Sequence, residues 1–158
     1  MATWIPTDPI LGNPGILQTG TSGFPAIGTL VDARDTTSAG QGFCRFIVLK
    51  CFSGQVAGNV VTYNQITGAT TPVPNTANLG APLAVAMAAN TSGTSNYGYF
   101  QVGGAAVIKK SAVKVSPAVK LYISGTAGRL MSTAASGKQV LECITNNAAT
   151  VLSATSTI

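Results

Sequence analysis

The sequence predicts an all-β protein, a small β-barrel or β-sandwich with an extended N-terminal arm. From Phe43 onward, apolar runs of strand length recur, rich in β-branched and aromatic residues and separated by clusters of Gly, Pro, Asn, Ser and Thr. The segment 1–40 differs: Pro6, Pro9, Pro14 and Pro25 alternate with Gly12, Gly15, Gly20 and Gly23, a spacing that blocks both helix propagation and regular ladders. A chain of 158 residues holds one domain with a continuous apolar core. The expected organisation is therefore an extended arm over 1–40 and a β domain over 41–158.

The arm carries Trp4, Ile5, Ile10, Leu11, Ile16 and Leu17, apolar anchors of a kind that disordered tails lack. An extended segment so equipped needs a surface to lie on, either its own domain or another subunit. In "FCRFIVLKCF", 43–52, the two alternating sets of side chains are both largely apolar, which predicts a strand covered on both faces. The runs "GNVVTYN" (58–64), "PLAVAMAA" (82–89), "YGYFQVGGAAVI" (97–108), "AVKLYIS" (118–124) and "KQVLECIT" (138–145) continue the pattern. "PLAVAMAA" has helical propensity, but its Gly and Pro boundaries and short length favour a strand. A weak internal echo aligns Val60 with Val119, Tyr63 with Tyr122 and, after one extra residue, Gly68 with Gly128, as in a duplicated hairpin with these glycines at its turns.

The surface chemistry is plain. Apolar residues make up 46% of the chain and charged residues only 8%, against roughly 25% charged in an average domain. Thr, Ser, Asn, Gln and Gly must supply the wet surface, and association is easier where few charges must lose water. No apolar run reaches the roughly 18 residues of a membrane helix. The N-terminus lacks the basic residues of a secretory signal. The expectation is a soluble chain that starts in a cytoplasm and has no membrane partner. The net charge of +5 includes one local cluster, Lys109, Lys110, Lys114 and Lys120, with only Tyr122 beside it as a stacking partner. This reads as a solvated edge that discourages strand pairing or as a contact for an acidic protein, rather than as a nucleic-acid surface.

Catalytic chemistry is not expected. With no histidine there is no Ser-His-Asp or Cys-His arrangement and no ordinary base near neutral pH. Asp32 and Asp35 are the only acids close together, and Arg34 between them suggests a loop that caps its own backbone donors. "GGAAVIKKS" lacks the spacing of a phosphate-binding loop. Cys44 and Cys51 lie in one strand, about 23 Å apart at roughly 3.3 Å per residue and on opposite faces, so they cannot bond to each other. With Cys143 they read as small buried hydrophobes, and no metal or cofactor is expected.

The order "IGTLVDARD", "GQGFCRFIVLKC", "GNVVTYN…APLAVAMAA", "NYGYFQVGGAAVIKK", "VKLYISGTAG", over roughly 27–145, resembles the head decoration, or capsid cement, proteins of tailed bacteriophages. The resemblance implies a homotrimer in the virion, on the outer capsid surface, assembled in the host cytoplasm. Its partner would be the major capsid protein, whose neighbouring subunits it clamps against packaged DNA. In that role the arm residues would contact capsid or a neighbouring subunit. Gly103, Gly104, Ala105 and Ala106 would permit close backbone approach, where a strand bends or where subunits meet. The alternative is another virion β-module, such as a tail, fibre or carbohydrate-binding adhesin protein, with Trp4, Tyr97, Tyr99 and Asn96 as its sugar-facing residues.

Overall fold

The computed structural model describes residues 3–7, 14–37, 42–111, 117–144 and 155–157, with 142–144 and 155–157 described by backbone alone. Its elements are all strands: β1 (Trp4–Pro6), β2 (Thr19–Gly20), β3 (Leu30–Asp35), β4 (Phe43–Lys50), β5 (Val60–Tyr63), β6 (Thr70–Pro72), β7 (Leu83–Ala86), β8 (Tyr97–Gly103), β9 (Val107–Lys109), β10 (Lys120–Ile123), β11 (Leu130–Met131), β12 (Gln139–Ile144) and β13 (Thr155–Thr157). The all-β class is as the sequence predicts, and every apolar run named from Phe43 onward forms a strand. Eight strands make the main sheet in the order β1-β3-β4-β8-β7-β5-β6, with β2 also on β8; β11-β10-β12 and β9-β13 form two smaller sheets. Among the described residues β1 and β6 do not pair, so the main sheet stays open and no barrel closes.

The strands within 1–40, β1, β2 and β3, are built into this sheet. In "LVDARD" strict alternation turns Val31, Ala33 and Asp35 inward and leaves Leu30, Asp32 and Arg34 outside, the period a half-covered strand requires. β1 then adds to the outer edge of β3, Trp4 opposite Asp35 and Ile5 opposite Arg34. The boundary near residue 40 thus falls at the β3–β4 connection, within one sheet. The proline spacing hides this, because prolines are tolerated on an edge strand.

Three apolar clusters hold the layers together. Trp4, Ile16, Val31, Ala33, Cys44, Phe46, Val48 and Tyr99 pack on one face of β3, β4 and β8. Leu49, Cys51, Val61, Ala84, Ala86 and Phe100 form a second cluster. There the sheet curls, and Lys50 N donates to Gly68 O (2.9 Å) while Thr70 Oγ1 donates to Lys50 O (2.6 Å). The third joins the main sheet to the small one through Val60, Val73 and Val85 against Leu121, Ile123 and Leu130. β4 is covered on both faces only in its second half; Phe43 and Arg45 lie open, correcting the expectation for the whole strand. No described element packs over the outer face there.

The duplicated hairpin is real in geometry. Gly58 (φ 84°) and Ala118 (φ 59°) open the two copies, and Gly68 (φ 66°) and Gly128 (φ 73°) close loops of equal length, 64–69 and 124–129. In each copy the first strand is central: β5 lies between β6 and β7, and β10 lies between β11 and β12. Tyr63 N donates to Pro82 O as Ile123 N donates to Lys138 O, and Asn64 N to Ala69 O as Ser124 N to Arg129 O. The backbone therefore matches Tyr63 with Ile123, one residue on from the alignment with Tyr122. The aromatic likeness misleads because a one-residue slip in a strand exchanges its faces.

Candidate functional site

The outer face of β1, β3 and β4 is an exposed apolar surface positioned by the main sheet. Register sets Ile5, Arg34 and Phe43 side by side, then Asp32, Arg45 and Gly103, then Leu30 and Ile47. Phe43 is 67% exposed, and Ile5 and Leu30 are each 56% exposed. Between them Arg45 Nε and Nη2 donate to the two carboxylate oxygens of Asp32 at 2.8 and 3.0 Å. This fork holds the Asp32 carboxyl below its ordinary range, so the face keeps both charges, mutually paired, near neutral pH. Thr7, Phe43, Asp32, Arg45, Val102, Gly103 and Gly104 line a shallow groove of about 640 Å³ on this side.

The predicted close-approach residues are used inside the chain. Between Phe46↔Gln101 and Arg45↔Gly103 the β4–β8 register slips, leaving Val102 as an extra residue that bends β8. Gln101, buried, donates from Nε2 to Gly103 O (3.1 Å) and Ala105 O (2.9 Å), clamping the bend. Gly104 follows with φ 87°, where a Cβ would lie 2.7 Å from Phe43 O and 2.6 Å from Cys44 Sγ. Ala105 is half-buried and Ala106 is buried in the wall of a cleft of about 100 Å³ between the sheets. The close approach is thus of β8 to its own neighbour β4.

The arm residues divide. Trp4 packs edge-on against Phe46 (ring centroids 5.0 Å apart), and Ile16 is buried in the same cluster. Ile5 and Leu17 are exposed, while Ile10 and Leu11 lie outside the described residues. Leu30 and Phe43, which the sequence reading did not single out, complete the exposed face with Ile5. Their one signal was strand alternation that places an apolar residue in phase with a charged one.

Other sequence-level candidates do not converge. Asp32 and Asp35 sit on opposite faces of β3. Both lie in a strand and not in the loop expected of them: Asp35 Oδ1 does cap, accepting from Thr37 N (2.9 Å) and Thr37 Oγ1 (2.7 Å), whereas Asp32 is taken by the Arg45 guanidinium. Lys110 is buried and donates from Nζ to Ser111 O (3.3 Å), Lys109 is half-buried and Lys120 exposed, so these lysines do not make one solvated edge; Lys114 lies outside the described residues. Trp4, Tyr99 and Asn96 are buried, Asn96 Nδ2 donating to Asn90 Oδ1 (2.8 Å), which leaves no aromatic platform of the expected composition. Burial raises the Cys44 and Cys51 thiols, the latter to about 11, so both stay protonated near neutral pH. Cys143 lies on β12 with its side chain outside the described residues. Among the described residues no three His, Cys, Asp or Glu side chains gather as metal ligands.

No protein-family model, curated protein or solved structure matches this chain.

Proposed function

We infer that the protein is a capsid decoration subunit, binding the outside of a mature phage head and clamping neighbouring major capsid proteins. The observation that carries this reading is the outward face of β1, β3 and β4. Three exposed apolar side chains, Ile5, Leu30 and Phe43, surround one internally satisfied ion pair in a chain only 8% charged. Such a face loses little hydration energy when covered, and its apolar area supplies the attraction. Repetition over a shell adds avidity, so each contact can be modest. The order of segments resembling phage decoration proteins supports the same reading, which carries with it the expectation of a homotrimer.

The test is co-sedimentation of the folded protein with expanded, undecorated heads. Saturable binding at a fixed number of copies per capsid subunit is expected. Phe43→Asp, at an exposed position, should abolish it with the melting curve unchanged. A folded wild-type protein that leaves the heads bare overturns the reading.

A further inference from the structure

We propose that the cleft between the main and small sheets is a binding site for a small uncharged molecule with an apolar body and one hydrogen-bond donor, which the side-chain carbonyl of Gln101 accepts.

Gln101 is out of keeping with its surroundings. It lies on β8, inside the main sheet, opposite Phe46 of β4 on one side and Val85 of β7 on the other. It is 3% exposed. The amide nitrogen is fully used: Nε2 donates to Gly103 O and to Ala105 O, one bond for each of its two hydrogens. Those two carbonyls also fix which end of the amide is which, since the reverse orientation would set oxygen against oxygen. Oε1 is left buried without a hydrogen-bond partner. A carbonyl that has lost water and gained nothing is costly to keep. The clamp on the β8 bend accounts for the nitrogen and leaves the oxygen unexplained.

The cleft supplies the space beside it. Gln101 lines this volume of about 100 Å³ together with Val60, Val85, Ala106, Leu130 and Val140. Among the described residues of the lining none is charged, and Gln101 has the only polar side chain. Trp4 Nε1 and Gln55 Oε1 are also buried without a partner, but neither residue borders this cleft or the outer groove. At Gln101 an unfilled acceptor and an unfilled apolar volume meet.

That combination selects its occupant. A charged molecule would be buried with no counter-charge. A water would have Oε1 as its one side-chain partner in the lining, whereas interior waters typically make roughly three hydrogen bonds. An apolar body gains from the valine and leucine walls, one donor satisfies Oε1, and further polar groups would go unpaired. The volume is below the roughly 150 Å³ of a cavity that takes benzene, which limits the occupant to about five non-hydrogen atoms. The site does not depend on the decoration reading.

Pyrrole and furan provide the test, five-membered rings of like size of which only pyrrole carries an N–H. Each is titrated into the full chain and followed by NMR of the valine and leucine methyl groups and of the Gln101 side-chain amide. Pyrrole is expected to bind roughly tenfold more tightly than furan, the scale of one hydrogen bond, and to shift the signals of Val85, Leu130 and Gln101. Ala106→Val, which fills part of the cleft, should weaken pyrrole binding by roughly tenfold or more without lowering the melting temperature. Gln101→Met, which keeps the volume and removes the acceptor, should bring the two rings to equal affinity. That variant also loses the clamp, so the wild-type comparison and Ala106→Val decide the matter if it fails to fold. Equal binding of the two rings by wild type, no binding of pyrrole at tens of millimolar, or pyrrole binding indifferent to Ala106→Val overturns the proposal.

Discussion

The two hairpin units, one running from Gly58 through β7 and the other from Ala118 through β12, share a backbone and differ in what crosses them. At Gly58 a Cβ would meet Val107 O at 3.2 Å and Lys109 N at 3.3 Å, because β9 passes directly over the turn. At Ala118 a real Cβ sits in the same left-handed conformation. Both positions need positive φ, but only the first also needs the absence of a side chain. The comparison separates two reasons for glycine that usually coincide: conformational freedom and room.

The largest effect should come from removing that room. Gly58→Ala is expected to cost about 2–3 kcal/mol in urea denaturation, combining left-handed strain with overpacking against backbone that cannot yield. A cost no greater than a left-handed alanine alone would mean that β9 does not lie over the turn. Next is alkali, which acts on the cluster around the first unit. Cys51 is held protonated, its value raised from 9.0 to about 11, so the unfolded chain ionises first. Its contribution is full below pH 9.0, and from there to about 11 the folding equilibrium constant falls about tenfold per pH unit. Cys51→Ala should flatten that part of the pH–stability curve; an unchanged slope would place the titration elsewhere. Gly128→Ala should cost about 1–2 kcal/mol, since its Cβ would meet the movable Asn59 amide at 3.0 Å rather than backbone. The smallest effect is a gain: Ala118→Gly should stabilise by about 0.5–1 kcal/mol, strain relieved less the entropy of glycine in the unfolded chain.

The all-β class and the longer strands from Phe43 onward were legible because alternation and turn residues are local signals, whereas their order in the sheet was not. "LVDARD" alternates as clearly, yet four prolines nearby made it read as arm, and only its pairing with β4 shows it to be sheet. The functional face was not legible for a different reason. Phe43 and Phe46 look alike in sequence, and which is covered depends on strands brought from elsewhere in the chain: Trp4 lies on Phe46 and nothing described lies on Phe43. In the plain stretch "VGGAA", read as a place of close approach, it is Gly104 that lies tight against a neighbour. Its partner, the backbone of Phe43 and Cys44, follows from the slip in the β4–β8 register, which no local pattern announces.

That same β4–β8 seam sets an order of events during synthesis. Among the described residues β8 alone lies between the β1-β3-β4 half of the main sheet and the β7-β5-β6 half. A ribosome that has not yet released residues 97–103 holds two half-sheets, each with a bare inner edge, β4 on one and β7 on the other. Contacts so distant along the chain form slowly, since the intervening loop must be closed before they contribute. The nascent chain is therefore most open to mispairing in that interval, when β4 and β7 are the nearest unpaired edges to each other and their intended neighbour has not been made.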